Sequence, residues 1–524
     1  VTGLVGSEMC IRDRVVKMLK EKGIKKSDIS RDEFLTYAWD WTEKHGGLIL
    51  NQLKRIGCSC DWDRTKFTLD SDLSESVIDT FIKLFDEGYL YRDKKIVNWD
   101  PEALTTLSNE EVIYKEEETK LFYLKYQIVD SKDYLTVATT RPETIYGDTA
   151  VAVNPDDNRY KNLKNKKLIV PLVGREIPIV FDSSVEIDFG TGCLKVTPAH
   201  SEKDFIIGKN NELEIIDIFN DDATINHHGK KYQGLDRFEA KKQIVNDLTE
   251  QGLISKTESY THNIALSERT NSVVEPKLSL QWFIKMKKIA EPAIDAVVSG
   301  DIKFYPKKYI NTYKNWMENL RDWNISRQLY WGHRIPVYYL KNDNSKFVVS
   351  KNVKDALVKF KSKFNFELTV DDVEQDNDVL DTWFSSWLWP ISVFDGIRNP
   401  SNDDINYYYP TSDIVTGPDI LFFWIARMIM SGYYFRDNKP FNNVYFTGLV
   451  RDKKGQKMSK QLGNSPDPIE LIKNYGADGV RIGLLFSAPA GNDLLFDEKL
   501  CVQGKNFSNK IWNAFRLVNG FDIS

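Results

Sequence analysis

Apolar positions along the chain change their spacing several times, and each change marks an element. From Val15 the run VVKMLKEKG has helical spacing, and the stretch to about Glu118 reads as helix-rich with one strand signal at KKIVNW. From about Thr119 to Asn263, short β-branched runs (YLTVATT, LIVPLV, IPIVF) alternate with Gly, Pro and Asn turns, which predicts a compact β-rich domain. The stretch Ile264 to Ala477 is mixed again. Within it ILFFWIARMIM (Ile420 to Met430) predicts a buried helix, and NVYFTGLV (Asn443 to Val450) predicts an apolar strand followed by a basic loop and the helix PIELIKNYG. Near the end Phe507, Ile511, Phe515 and Val518 line one face of an amphipathic helix.

The two stretches flanking the β-rich block each lack enough strands for a sheet of their own. The pattern therefore predicts an α/β fold, with a core built on a parallel sheet and interrupted by an inserted β-rich domain. The expected divisions are 15–118 and 264–477 for the two parts of the core, 119–263 for the insert, and 478–524 for a connecting region and the start of a helical bundle. Residues 1–14 (VTGLVGSEMCIRDR) lead into no recognisable element and resemble translated sequencing-adapter read-through, so native sequence is expected to begin near Val15. The apolar face of the last helix calls for partners further downstream.

Composition narrows the class without changing this outline. A length of 524 residues allows three or four domains of roughly 150 residues each. At 41% hydrophobic and 28% charged, the chain is neither disordered nor fibrous. Its 71 Lys plus Arg stand against 76 Asp plus Glu, a formal net charge of -5, so any RNA contact must use a local basic patch rather than bulk charge. The five cysteines (Cys10, Cys58, Cys60, Cys193 and Cys501) are odd in number and scattered, which argues against a disulfide framework and for a reducing compartment. Cys58 and Cys60 have no second Cys or His pair near them in sequence, so no zinc is expected. No apolar run reaches the roughly 18 residues of a membrane helix and no signal-peptide pattern opens the chain, which makes the cytoplasm the expected location.

The candidate chemistry begins in the loop RDKKGQKMSKQLGN (Arg451 to Asn464), where Lys453, Lys454, Lys457 and Lys460 surround Gly455, Ser459 and Gly463. Ligands of open α/β sheets bind beyond the carboxyl ends of strands, so four ammonium groups there are placed to meet phosphates. By composition alone a solvated lysine loop is the better reading of the stretch.

KMSKQ (Lys457, Met458, Ser459, Lys460, Gln461) resembles the lysine-rich signature of the class I aminoacyl-tRNA synthetases, with Gln461 in place of the usual final serine. The resemblance runs from Val15 to Ser524, and four further stretches occur in the order and spacing of the valyl branch of subclass Ia: ATTRPETIYGDTAVAVNP (Ala138 to Pro155), ISRQLYWGHRIPVYY (Ile325 to Tyr339), DNDVLDTWFSSWLWP (Asp376 to Pro390) and TGPDILFFWIARMIM (Thr416 to Met430). The isoleucyl and leucyl relatives differ in the DTWFSSWLWP stretch and lack GHRIP.

This resemblance implies a Rossmann-like nucleotide-binding core that activates valine with ATP and Mg2+ and transfers it to tRNA(Val) as a monomer. Lys457 and Lys460, with Met458 and Ser459 between them, would spread charge off the leaving pyrophosphate during in-line displacement. Gly417, Asp419, Thr447, Gly448 and Leu449 would hold ATP, the last three by main-chain contacts beside adenine. Trp383, Ile420 and Trp424 would wall the valine pocket, Ile420 and Trp424 projecting from one helical face four residues apart. Most tryptophans are simply core, and Trp387 and Trp389 are read that way.

The inserted domain matches the family's editing domain, which hydrolyses mischarged threonyl-tRNA(Val). A pocket for valine cannot strongly reject the nearly isosteric threonine, so a second hydrolytic sieve is required. The matching residues are Thr139, Thr140, Arg141, Phe189, Lys195, Thr197, His200 and Asp204. Asp204 is expected to anchor the substrate ammonium, and Lys195 and Arg141 to meet the terminal adenosine and its phosphate. Asp204→Ala is expected to leave stability nearly unchanged while abolishing this hydrolysis. Taken singly, the threonines fit any β-strand, His200 could satisfy a turn, and Lys195 could be surface charge. The chain departs from the family at Ser201, where a second aspartate is common. It also lacks the family's histidine signature: its six histidines (His45, His200, His227, His228, His262, His333) include one close pair, and that pair lies in the insert. The resemblance therefore implies that the chain as it stands activates valine poorly. Alternatives are an isoleucyl relative, an editing or tRNA-binding module without synthetase activity, and a phosphate-binding α/β protein of unrelated chemistry.

Overall fold

The computed structural model describes residues 7–24, 28–456, 458, 463–488 and 491–521, with side chains from residue 11 onward. The chain divides into two compact units, one comprising Val1–Tyr91, Ile284–Ile325 and Leu329–Ser524, the other Arg92–Phe283 and Ser326–Gln328.

In the first unit three parallel strands lie in the order Lys303–Tyr305, Phe441–Phe446, Thr411–Thr416. Parallel neighbours need a crossover. The helix Ala426–Arg436 provides it between Thr411–Thr416 and Phe441–Phe446, and its residues from Ala426 to Gly432 are all buried, as the apolar run predicts. The first part of that run behaves differently. Pro418–Ile420 forms a 3-10 turn and Leu421–Ile425 a widened π turn before regular helix begins. Arg427 Nη1 donates to the carbonyl oxygens of Phe422 (3.0 Å) and Phe423 (3.1 Å). The arginine inside an apolar helix is thus bonded to carbonyls of the wide turn.

Elsewhere in this unit Val337–Leu340, Asp343–Val349 and Val373–Gln375 form an antiparallel sheet, on which the helix Val353–Phe364 packs through Ala356 and Phe360. The helices Ala477–Ser487 and Glu498–Val518 meet backbone to backbone at glycines: a Cβ on Gly504 would lie 2.1 Å from Gly479 O. Phe507, Ile511, Phe515 and Val518 of the latter helix are exposed, forming the apolar face read from the sequence. The helix Ser7–Glu21 runs unbroken through the boundary expected at Val15, and Ile11 is buried with Val15 and Leu19 against Phe34, Ala38 and Trp331. Residues 7–14 therefore do lead into an element, contrary to the reading from sequence.

The second unit is wider than the β-rich span Thr119 to Asn263 and is built on a seven-stranded sheet. Its spine is the long strand Val112–Ile128, paired antiparallel with Ile254–Ser267, Tyr134–Thr139 and Lys167–Ile169. Glu176–Phe181 pairs in parallel with Ala150–Val153, which pairs antiparallel with Cys193–Val196. In Tyr134–Thr139 burial alternates, with Leu135, Val137 and Thr139 inward. This follows from the two-residue period of a strand with one face on a core. Ser326–Gln328 joins the unit through polar contacts: Ser326 Oγ donates to Gln281 Oε1 (2.5 Å), and Arg327 Nη2 reaches Ser108 Oγ (2.6 Å) and Glu111 Oε2 (3.2 Å). Burial alone would raise the Glu111 carboxyl, but Arg269 and Arg327 outweigh it and hold it down at about 2. The opening residues of ISRQLYWGHRIP thus serve as a buried anchor.

Candidate functional site

Two groups of predicted residues come together, one in each unit. In the first unit Thr416 and Phe446 are register partners at the carboxyl ends of adjacent parallel strands, so Gly417 to Asp419 and Thr447 to Leu449 leave the same edge of the sheet. Asp419 is exposed and Gly417 lies against it: a Cβ on Gly417 would sit 2.5 Å from Asp419 Oδ1. Beside this edge the segment from Gly491 onward closes in. Lys308 Nζ donates to Gly491 O (2.9 Å) and Asn492 Oδ1 (3.0 Å), Leu449 N donates to Asp493 Oδ1 (3.0 Å), and Leu494 N donates to Leu449 O (2.9 Å). Thr447 N is taken by Thr416 O at 2.9 Å. The main-chain role beside adenine expected of Thr447 and Leu449 is thereby restricted, because their amides are already bonded within the protein.

The stem of the lysine loop is ordered by Asp452, whose side chain accepts from the main-chain amides of Lys454 and Gln456 (both 2.9 Å) and from Asn464 Nδ2 (2.9 Å). Met458 packs against the cluster of Leu471, Val480, Phe496 and Cys501. Lys457, Ser459, Lys460 and Gln461 lie outside the described residues. Lys453 pairs with Asp497 at 3.2 Å.

Of the pocket residues, Trp383 is half-buried and stacks on Phe423 (5.2 Å between centroids), and buried Trp424 donates its indole N–H to Ser386 O at 3.0 Å. Ile420 ends the 3-10 turn and Trp424 lies in the π turn, so the four-residue spacing does not place them on one α-helical face as expected. The wide turn shifts the angle between successive side chains. A cavity of about 720 Å³ in this unit, lined in part by Trp62, Arg64, Trp389, Phe394 and Tyr408, contains none of the candidate site residues, and Trp389, read from sequence as core, is half-buried on its wall whereas Trp387 is fully buried.

In the second unit the strand ends Thr139 and Val196 converge on a buried polar network. Lys195 Nζ donates to Thr144 Oγ1 (2.6 Å), Asp148 Oδ1 (2.8 Å) and Thr197 Oγ1 (2.5 Å). Thr197 N donates to Asp204 Oδ2 at 2.8 Å. Asp204 lies in the first turn of the helix Glu202–Asn210, which is capped by Ser201, its Oγ accepting from Asp204 N at 3.3 Å. The residue that departs from the family is therefore a helix cap. Burial pushes the Asp204 carboxyl up to about 6, with Lys195 opposing. Because Asp204 is buried and accepts a buried amide, Asp204→Ala would leave that amide unsatisfied at a cost of about 1–3 kcal/mol, which loss of the buried charge opposes near neutral pH.

Thr144 Oγ1 donates to Arg141 O (3.0 Å) and Thr139 Oγ1 accepts from Arg141 N (3.0 Å), linking this network to a second one. Arg141 Nη2 grips both oxygens of Glu275 (2.8 and 2.9 Å), its Nε donates to Glu143 Oε1 (2.9 Å), and Arg237 Nη1 reaches Glu275 from another side (2.7 Å). His200 is turned inward: its Nε2 accepts from Ile218 N (3.1 Å) and its ring meets the edge of Phe219. Burial, then Arg141 and Lys195, hold its pKa well below the usual histidine range, so the ring is a neutral acceptor. Phe189 stands apart, exposed and edge-on to Tyr260, while Thr140 is half-buried.

Sequence reasoning missed Thr144, Asp148, Glu143, Arg237 and Glu275. The first three sit inside the quoted ATTRPETIYGDTAVAVNP, whereas Glu275 falls beyond the expected end of the insert at Asn263. We expect Glu275→Gln to leave two guanidinium groups short of their carboxylate and to cost about 3–5 kcal/mol. Urea unfolding of this unit would show it, and a change under about 0.5 kcal/mol would contradict the clamp.

Among the described residues no group of three or more His, Cys, Asp or Glu is arranged to hold a metal ion, and no helix is long and apolar enough to cross a membrane.

Comparison with known proteins gives three kinds of match. The chain is 60% identical over 523 residues to a valine–tRNA ligase of Bacteroides fragilis, covering 100% of this chain and 60% of that protein. It is 59% identical over 524 residues to that of Parabacteroides distasonis, covering 100% and 60%, and 48% identical over 507 residues to that of Chlorobaculum tepidum, covering 96% and 55%. The chain thus spans about 60% of the length of the first of these curated relatives. Among solved structures, a LeuRS–tRNA–LeuAMS ternary complex from Agrobacterium radiobacter K84 aligns at TM-score 0.48 and 17% identity (96% of this chain, 66% of that one). A Mycobacterium tuberculosis methionyl-tRNA synthetase bound by methionyl-adenylate aligns at TM-score 0.47 and 13% identity (94% and 58%). The profile of the tRNA synthetases class I (I, L, M and V) matches residues 2–497, and on that match over nearly its whole length the chain belongs to this family.

Proposed function

We propose that the chain is part of a valine–tRNA ligase that forms valyl-adenylate from valine and MgATP, transfers the valyl group to tRNA(Val), and hydrolyses threonyl-tRNA(Val) in its second unit. The observation that carries the first activity is the parallel pairing of Thr411–Thr416 with Phe441–Phe446, which delivers Gly417, Asp419 and the stem of the lysine loop to one sheet edge. The choice of valine is supported by relatives that are named valine–tRNA ligases.

In the activating step a valine carboxylate oxygen bonds to the α-phosphorus and pyrophosphate leaves. Charge grows on the leaving group, and Lys457 and Lys460 are the residues whose ammonium groups would meet it. Trp383 and Trp424 would bound the side-chain pocket. In the second unit water attacks the threonyl ester and the tRNA hydroxyl leaves, with Asp204 ionised to hold the substrate ammonium. We place the enzyme in the cytoplasm, in keeping with Cys58, Cys60, Cys193 and Cys501 being unpaired among the described residues, and take it to be a monomer as its family resemblance implies.

Calorimetry with non-hydrolysable aminoacyl-adenylate analogues tests the synthetic reading. The valyl analogue is expected to bind at least about tenfold more tightly than the isoleucyl one, since an extra methylene in a fitted pocket is worth about 1–3 kcal/mol. Lys457→Ala with Lys460→Ala should weaken both. Equal affinities would favour the isoleucyl alternative, and no nucleotide binding alongside intact ester hydrolysis would leave only an editing module.

A further inference from the structure

We infer that Glu275 is a positioning residue of the hydrolytic site: it holds the Arg141 guanidinium so that one edge stays open to the phosphate linking the last two nucleotides of the mischarged tRNA. The inference rests on the hydrolytic reading above, in which the family resemblance gives Arg141 the terminal adenosine and its phosphate. A guanidinium carries five N–H donors in one plane. In Arg141 the Nε donor goes to Glu143 Oε1 at 2.9 Å and Nη2 donates to Glu275 Oε1 and Oε2 at 2.8 and 2.9 Å, while among the described residues Nη1 has no hydrogen-bond partner. Exposure agrees with this division. The side chains of Glu143 and Glu275 are 6% and 4% exposed, whereas that of Arg141 is 31% exposed. One face of the guanidinium lies over Phe219, 5.8 Å from the ring centroid. What remains for a ligand is the Nη1 edge, with two donors for phosphate oxygens.

The residue stands beside the polar network of the site: Thr144 Oγ1, which accepts from Lys195 Nζ at 2.6 Å, donates to Arg141 O at 3.0 Å. Glu275 is itself held in place. Arg237 Nη1 donates to its Oε2 at 2.7 Å and Arg237 Nη2 donates to Val273 O, and Arg237 projects from the buried start of the helix Arg237–Glu250. Glu143, Glu275, Arg141 and Arg237 together carry two charges of each sign, so the clamp fixes the guanidinium without turning net negative charge towards an incoming phosphate. Without Glu275, Arg141 would be held through Nε alone, and the plane of its fork would no longer be set.

Threonyl-tRNA(Val) with either a natural phosphate or an uncharged methylphosphonate between its last two nucleotides tests this, with hydrolysis by the full chain followed below the unfolding midpoint of each variant. The unmodified chain should prefer the natural linkage by at least about tenfold in kcat/KM, mainly through KM. Glu275→Gln should remove most of that preference, and Glu275→Asp should restore part of it. In an Arg141→Ala chain, already without the preference, Glu275→Gln should change it no further, since residues that act through one another do not add. Where Glu275→Gln unfolds too readily to assay, the double variant Glu275→Gln with Arg237→Met leaves one guanidinium rather than two short of a carboxylate and carries the same expectation. A folded Glu275 variant that slows both substrates equally and keeps the preference would show that Glu275 is merely structural. An unmodified chain that hydrolyses both without preference would show that Arg141 does not meet this phosphate. Either result overturns the assignment alone, whereas an unmodified chain that hydrolyses neither substrate overturns the hydrolytic reading and the assignment together.

Discussion

Asp204→Asn is expected to stabilise the second unit near neutral pH while reducing threonyl-tRNA hydrolysis at least about a hundredfold. The carboxyl is buried, which raises its pKa to about 6 in the folded chain. A carboxyl whose pKa is raised on folding favours the native state below its unfolded value, and that contribution is lost as pH rises through the folded value. With about 1.4 kcal/mol per pKa unit, an ionised Asp204 costs about 3 kcal/mol above pH 6. Asparagine removes that charge and keeps an oxygen for the Thr197 amide. A gain of about 1–3 kcal/mol at about pH 8, shrinking towards zero at about pH 4, is therefore the expected difference. The charge that is costly for folding is the one that would bind an ammonium group, so hydrolysis by the unmodified chain should rise as pH passes through about 6. Unchanged hydrolysis in the folded variant would remove Asp204 from the site.

Gly448→Ala should open the sheet edge of the first unit. A Cβ at this position would lie 1.6 Å from Asn492 O and 2.9 Å from Asp493 Cα, and both neighbours are backbone with no side-chain rotation to relieve them. The segment from Gly491 must move away, and with it go the bonds from Leu449 N to Asp493 and from Leu494 N to Leu449 O. Overpacking of this kind costs about 3 kcal/mol or more when backbone is the obstacle. Because the chain has two units, a single unfolding midpoint would blur the effect. Amide exchange at Leu494 and Phe496, bonded to Leu449 O and Arg451 O, reports it directly. Faster exchange there, together with at least about tenfold weaker nucleotide binding, is the expected result. Unaltered exchange would mean that the contact yields without cost.

Much of the molecule could be read from residue order. Alternation in YLTVATT showed which residues face a core, because a strand has a two-residue period whatever surrounds it, whereas in NVYFTGLV the strand ends at Phe446 and Tyr445 is exposed although apolar. The buried run ILFFWIARMIM was legible for its polarity but not for its path. The same letters accommodate α, 3-10 or π turns, and it is the folded chain that shows a π turn here, with Arg427 reaching back to the carbonyls of Phe422 and Phe423. Asp204 was found by its place in a familiar stretch; its high pKa was not, since burial is a property of the assembled unit.

Local sequence determined the elements, the interrupted α/β order and the family, because periodicity and short signatures are properties of neighbouring residues. Only the tertiary structure showed what Lys195, His200 and Arg141 are bonded to. Each is a polar side chain that the sequence left free to meet a ligand, and each is bonded within the protein, to Asp148, Ile218 N and Glu275 respectively. Those partners lie 18 to 134 positions away. Pairing between residues so far apart follows from strand register and burial, where an unbonded charge is too costly to leave, and no pattern along the chain encodes it.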